Sequence, residues 1–263
     1  MTRVIIQPCH RRFLLAAIVL IIAAPGSAQD APGDATISTA LVPVVASVHG
    51  KSGIEWRTDV AVRNDSGDDV TILLLLQAAP GDRWMSTVLP AGQSMTFVDV
   101  VWQLFGLREV ISPLLVHTFA ARSVTVGATI YPVEEGRVRS PEFIPISYAT
   151  PAAGIHILPG LQMNDQYRTN IGLVNLNDEA VRFTMALQRI EGRHLAVSSF
   201  VIGAGGLVQV SLENLFPLIT EGSDFSLVVE TSAANAYSYA SVIDNSDHRA
   251  TFVQPLLLQF AGR

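Results

Sequence analysis

Trp56-Arg-Thr-Asp-Val-Ala-Val-Arg-Asn64 lines up without a gap on Tyr167-Arg-Thr-Asn-Ile-Gly-Leu-Val-Asn175, an offset of 111 residues. Within each stretch the alternation has a period of two. Trp56, Thr58, Val60 and Val62 share one face of a strand and Arg57, Asp59 and Arg63 the other; Tyr167, Thr169, Ile171 and Leu173 repeat the pattern against Arg168 and Asn170. Strict alternation is the mark of a half-buried β-strand rather than a helix. Finding the same strand twice, at one spacing, means that the fold is built from a repeated β unit.

The match extends outward in both directions. The same offset carries Val70 onto Val181, Gln77 onto Gln188 and Leu104-Phe-Gly-Leu107 onto Leu215-Phe-Pro-Leu218. Leu89-Pro-Ala-Gly92 matches Ile202-Gly-Ala-Gly205, Pro145 matches Pro255, and each copy opens on a hydrophobic-proline pair, Val42-Pro43 and Leu158-Pro159. In the first copy, turn residues at Asn64–Asp69, Pro80-Gly81 and Pro90–Gly92 separate runs rich in β-branched and leucine residues, followed by runs at 94–100, 114–120, 124–131 and 142–147. Seven or eight short strands in about 100 residues predict an immunoglobulin-like sandwich. The fold expected is therefore all-β, two tandem sandwiches related by internal duplication, with single helical turns near 101–107 and 212–218. The boundaries expected are 41–148 for the first repeat, 149–154 for the linker and 155–263 for the second.

Ahead of them, Arg3, Arg11 and Arg12 precede an apolar run from Phe13 to Ala24 that ends in Pro25-Gly-Ser-Ala28. This is the three-part pattern of a signal peptide over residues 1–28, too short in its apolar core to be retained as a membrane span. Residues 29–40 read as a flexible leader. Without residues 1–28 the chain carries 14 basic and 23 acidic residues, a net −9, which argues against nucleic acid and anionic membrane as partners. Cys9 lies within the signal peptide, so the exported chain is expected to hold its fold without disulfides. The localisation expected is secreted, periplasmic or cell-surface.

The search for chemistry returns few constellations. No nucleophile elbow, His-Glu-x-x-His, P-loop or dinucleotide fingerprint occurs, and His49, His117, His156, His194 and His248 stand at no ligand spacing. No cofactor is expected. The acidic loops place Asp65 and Asp68, and Asp244 and Asp247, where oxygen ligands could hold calcium, but Asn, Asp, Ser and Gly are also what tight turns demand. Arg57 and Arg168 invite reading as a carboxylate clamp; an outward arginine equally covers a sheet with its stem and pairs across strands. Trp84 and Trp102 belong to the first repeat alone, facing Leu195 and Glu213 in the second, and mark where binding specialisation would lie.

The aromatic-Arg-Thr-Asp/Asn strand, the Pro-Ala-Gly turn, the Leu-Phe-Gly segment and the late Tyr-Ala-Ser-Val-Ile-Asp-Asn strand resemble tandem-repeat secreted proteins of environmental bacteria, generally uncharacterised. The resemblance implies immunoglobulin-like architecture and export, and carries no catalytic residue onto this chain. The function expected is a non-enzymatic structural, adhesive or interaction module whose partner is a protein or polysaccharide of the cell envelope. The alternatives are a carbohydrate binder using Trp84 and Trp102, and a secreted hydrolase.

Overall fold

Short runs of β-branched and leucine residues, broken by Asn, Asp, Gly and Pro, pair as antiparallel strands throughout the computed structural model, which describes residues 7–8, 37–50, 53–78, 81–119, 124–148, 153–189 and 191–259. The expected signal peptide, apart from Gln7 and Pro8, residues 29–36 of the expected flexible leader and residues 149–152 of the expected linker lie outside the described residues. Gln7–Pro8 forms β1. The first half of the chain then runs β2 (Ser38–His49), β3 (Glu55–Asn64), β4 (Val70–Leu76), β5 (Arg83–Leu89), β6 (Ser94–Phe97), helix α1 (Val100–Phe105), β7 (Val110–Thr118), β8 (Val124–Glu134), β9 (Arg137–Val138) and β10 (Glu142–Ile144). The second half runs β11 (Gly154–Met163), β12 (Tyr167–Asn175), β13 (Val181–Arg189), β14 (His194–Ile202), β15 (Leu207–Ser211), helix α2 (Leu212–Leu215), β16 (Gly222–Thr231), β17 (Ala236–Asp244), β18 (Ala250–Val253) and β19 (Leu256–Gln259). The helical turns expected near 101–107 and 212–218 are α1 and α2.

One pairing order serves both halves. In the second, β14-β13-β16-β11-β19 form one sheet and β15-β12-β17-β18 another. In the first, β5-β4-β7-β2 and β6-β3-β8-β10 repeat that order, and Ser147 bridges to Leu41 where β19 lies beside β11. The halves differ at one junction. β2 and β3 pair through Ser47–Arg57, Val48–Trp56 and His49–Glu55, merging the first half's strands into a single ten-stranded sheet with β1 and β9, whereas β11 and β12 belong to separate sheets.

The shared residues explain the shared geometry. Proline has no N–H to give a ladder, so it is tolerated at bulges. The register of β2 slips between Val42 and Val45, across Pro43, and that of β11 between Leu158 and Leu161, across Pro159 and Gly160 with φ 70°. The asparagine ending the repeated strand is buried in each half. Asn64 Nδ2 donates to the carbonyls of Asp68 (2.7 Å) and Leu89 (3.0 Å) while its Oδ1 accepts from the Ser66 N–H (3.0 Å). Asn175 Nδ2 donates to Glu179 (2.7 Å), Ile202 (3.1 Å) and Gly203 (3.0 Å), and its Oδ1 accepts from the Asn177 N–H (2.9 Å). Each side chain ties its own turn to the end of a neighbouring strand.

Thr58, Val60 and Val62 of β3, and Thr169, Ile171 and Leu173 of β12, face their cores. The opposite face of β12 is not solvent. Val174, Tyr237 and Tyr239 of the second half join the first half's core cluster, with Leu176, Leu207 and Phe252 packed against it. Accordingly β17 is buried on both faces, as is most of β2. The two halves therefore share a seam between the β15-β12-β17-β18 sheet and the outer face of β2 and its neighbours.

Candidate functional site

The register of the second sheet lays out the seam row by row. Gly172 lies opposite Tyr239 on one side and Gln209 on the other, Asn170 between Ser241 and Ser211, and Arg168 beside Ile243. Because alternate residues share a face, the face that packs through Val174 and Tyr237 at one end continues through Tyr239 to Asn170, Ser241, Ser211 and Arg168 at the other. The apolar end closes against the first half. The polar end stands away from it and leaves a cleft of about 770 Å³. Its opposite wall is mostly apolar, made by Val44, Ala46, Val48, Ile111 and Ile130 with the half-buried indole of Trp56, and His49 also lines it.

Tyr239 marks the inner end. In the first half the residue across from Ala61 is Gly127; in the second, Gly172 faces Tyr239. A Cβ on Gly172 would fall 2.0 Å from the Tyr239 ring, so only glycine lets the phenol lie flat across the strand. The ring stacks on Phe252 at 5.0 Å between centroids. Its hydroxyl is buried and finds no hydrogen-bond partner among the described residues, and burial pushes its proton affinity well up.

The two repeated arginines are treated differently. Arg57 donates to Glu55 through Nε (3.2 Å) and Nη2 (2.5 Å), and its Nε lies 3.7 Å from the buried carboxylate of Asp99. Arg168, on the cleft floor, donates to Asn245 Oδ1, and no carboxylate lies within ion-pairing distance of it among the described residues. Burial, with no compensating acid, draws its proton affinity down. Beside the main cleft a smaller one of about 290 Å³ holds His49, Glu55, Arg57, Arg108 and Glu109. There charges are matched: Glu109 bonds the His49 ring, which Glu55 approaches to 3.5 Å, and the Glu109 bond lifts His49 above its ordinary value.

Trp84 and Trp102 lie outside this cleft. Trp84 is half-buried against the first core. Trp102 is 42% exposed, with the Arg108 guanidinium 4.4 Å above its ring and that arginine's Nη1 3.1 Å from Asp99. The acidic loops use their carboxylates locally. Asp65 accepts from Arg63 Nε (2.6 Å) and Thr125 Oγ1 (2.7 Å), Asp244 Oδ1 from the Ser246 N–H (2.8 Å), and Asp247 Oδ1 from the Arg249 N–H (3.0 Å), while Asp68 enters its turn through its carbonyl. Among the described residues no group of three or more His, Cys, Asp or Glu is placed to hold a metal ion, and no helix is long and apolar enough to cross a membrane.

Arg57 and Arg168 thus stand at separate clefts, and the structure does not bring Trp84 or Trp102 to either. Sequence reasoning missed Trp56, Gln209, Ser241 and Tyr239 as one site because they come from three strands far apart in the chain. The available signal was the replacement of an Ala61–Gly127 pair by Gly172–Tyr239.

No family model matches the chain, and no curated protein does. Among solved structures it is similar to the Thermotoga maritima protein 1070, at 13% identity and a TM-score of 0.35, over 42% of this chain and 98% of that one. It is also similar to β-glucuronidase 2 of Bacteroides uniformis, covalently bound to cyclophellitol-6-carboxylate aziridine, at 12% identity and a TM-score of 0.18, over 77% of this chain and 25% of that one. Likenesses this distant carry no argument about activity. What fold and cleft together define is an antiparallel all-β protein with a two-walled cleft along an internal seam.

Proposed function

We propose that the chain is an exported, non-enzymatic binding module, made of two duplicated immunoglobulin-like units, that presents the cleft between them to a polysaccharide or protein of the cell envelope. The reading of duplication is supported by the equal pairing order, the matched proline bulges and the matched buried asparagines. What supports the immunoglobulin-like reading is the recurrence of the pairs β2–β7 and β3–β8 as β11–β16 and β12–β17, which we read as the central pairs of two sheets, although in the first half they run on in one sheet and the edge strands depart from the immunoglobulin order. Export rests on the leader pattern at residues 1–28, and the resemblance to tandem-repeat secreted proteins agrees with it.

The observation that carries the binding function is the cleft itself, with an apolar wall from one unit and a polar floor from the other, the contrast that ligand sites use to bury a body and orient its edges. A glycan array and an envelope pull-down on the exported chain test it. Ligand retained by the native protein is expected to be lost when Ser241→Trp or Ser211→Trp fills the floor, in variants whose melting shows them folded; retention by both variants would overturn the cleft as the binding surface. The second reading, carbohydrate stacking on the first-repeat tryptophans, is favoured by the exposure of Trp102. It predicts the reverse pattern, with binding lost in Trp102→Ala and kept in the Ser241 variant.

A further inference from the structure

We infer that the ligand of the cleft is an acidic saccharide bearing an isolated carboxylate, and that Arg168 is the residue that holds it; the inference rests on the cleft being the binding surface.

A guanidinium offers five N–H donors in a planar fork that fits a carboxylate. Among the described residues Arg168 spends one nitrogen on Asn245 and meets no acid, although it is half-buried on the floor of the cleft. Its counterpart Arg57, at the matching position of β3, is met by both Glu55 and Asp99. A cation removed from water without a partner is unfavourable, so the second repeat leaves unmatched the charge that the first repeat neutralises. An incoming carboxylate supplies the missing partner.

The rest of the ligand follows from the two walls. A sugar ring has C–H faces and hydroxyl edges. The faces suit Val44, Val48, Ile111, Ile130 and the Trp56 indole, and the edges suit Asn170, Gln209, Ser211 and Ser241. A plain acyl chain would desolvate that floor without bonding it. The lining also carries the exposed carboxylates Asp165, Glu213 and Glu221, which repel any incoming acid and so penalise a chain with closely repeated charges more than one with a single carboxylate set among neutral sugars.

Calorimetric titration of the exported chain with a trisaccharide containing one galacturonic acid residue, and with its methyl ester, tests the inference. The acid is expected to bind at least tenfold more tightly than the ester. Arg168→Gln should bring the acid to the level of the ester, Arg168→Lys should restore only part of the difference because the fork is lost, and Arg182→Gln, which removes a positive charge remote from the cleft, should change nothing. Equal affinities for acid and ester, full binding by folded Arg168→Gln, or no binding of either probe would each overturn it. The array ligand keeps the two failures apart. If that ligand is lost in the Ser241→Trp and Ser211→Trp variants but kept in Arg168→Gln, the carboxylate inference alone falls. If both tryptophan variants keep it, the cleft reading falls too.

Discussion

Tyr239 carries a hydroxyl without a partner among the described residues in a fully buried place, and Asn64 and Asn175 carry fully satisfied amides in equally buried ones. The consequences of substitution are opposite. Removing a buried hydroxyl that has no partner removes a desolvation cost, so Tyr239→Phe is expected to leave stability unchanged or raise it by up to about 1 kcal/mol, read by thermal melting. A clear loss would mean that the hydroxyl is bonded in solution. Asn64→Ala or Asn175→Ala strands one buried carbonyl, that of Leu89 or Ile202, and releases the half-buried turn groups, and each is expected to cost about 1–3 kcal/mol in urea unfolding. Similar losses at the two positions would support the equivalence of the halves. Asparagine ending the repeated strand was legible from the sequence as a turn-setting residue. Its reach to Leu89 and Ile202, on other strands, was not, because such bonds depend on where those strands come to lie.

Strands buried on both faces put polar side chains where they are hard to protonate. His156 of β11 is buried with Nδ1 2.9 Å from Ser238 Oγ, and His117 of β7 lies 2.8 Å from Thr39 Oγ1; burial holds both below the ordinary value of 6.5. Below pH 6.5 the unfolded chain takes up protons that the folded one refuses, so stability falls as pH drops through that value toward the lowered folded values. His49 works in the other direction: raised by Glu109, its contribution is present below 6.5 and disappears as pH climbs through its folded value. It is fully exposed, so the buried pair dominates. The urea midpoint is expected to be lower at pH 5.5 than at pH 7.5, and His156→Gln should flatten the difference. Also at this scale, Gly172→Ala drives a Cβ into the Tyr239 ring. It is expected to cost roughly 1–3 kcal/mol by overpacking, and Tyr239→Ala in the same chain should recover part of that loss, measured as a double-mutant cycle.

Across the whole molecule, the seam couples the halves. Tyr237 is 5% exposed and belongs to a cluster otherwise drawn mostly from the first half. Two sandwiches that merely followed each other would unfold independently; here a single urea transition is expected in the native chain. Tyr237→Ala should lower stability by about 3–5 kcal/mol, the usual range for losing a buried aromatic, and broaden or split that transition. An unchanged midpoint with one sharp transition would show that the seam contributes little.

Period-two alternation, the recurrence of turn residues and the gap-free repeat determined the β character of the chain and the positions of its repeated strand, because these are local properties of the backbone and of side chains on a pleat. They also located the proline pairs that become bulges. The packing of the second half's sheet face on the first was decided only by tertiary structure. So were the flat seat of Tyr239 on Gly172 and the different surroundings of Arg57 and Arg168. The physical reason is that alternation tells which residues share a face and not what that face meets. Arg57 and Arg168 occupy matching positions in the two aligned stretches of sequence, and the acids at Glu55 and Asp99 on one side, against Asn245 on the other, are what separate them.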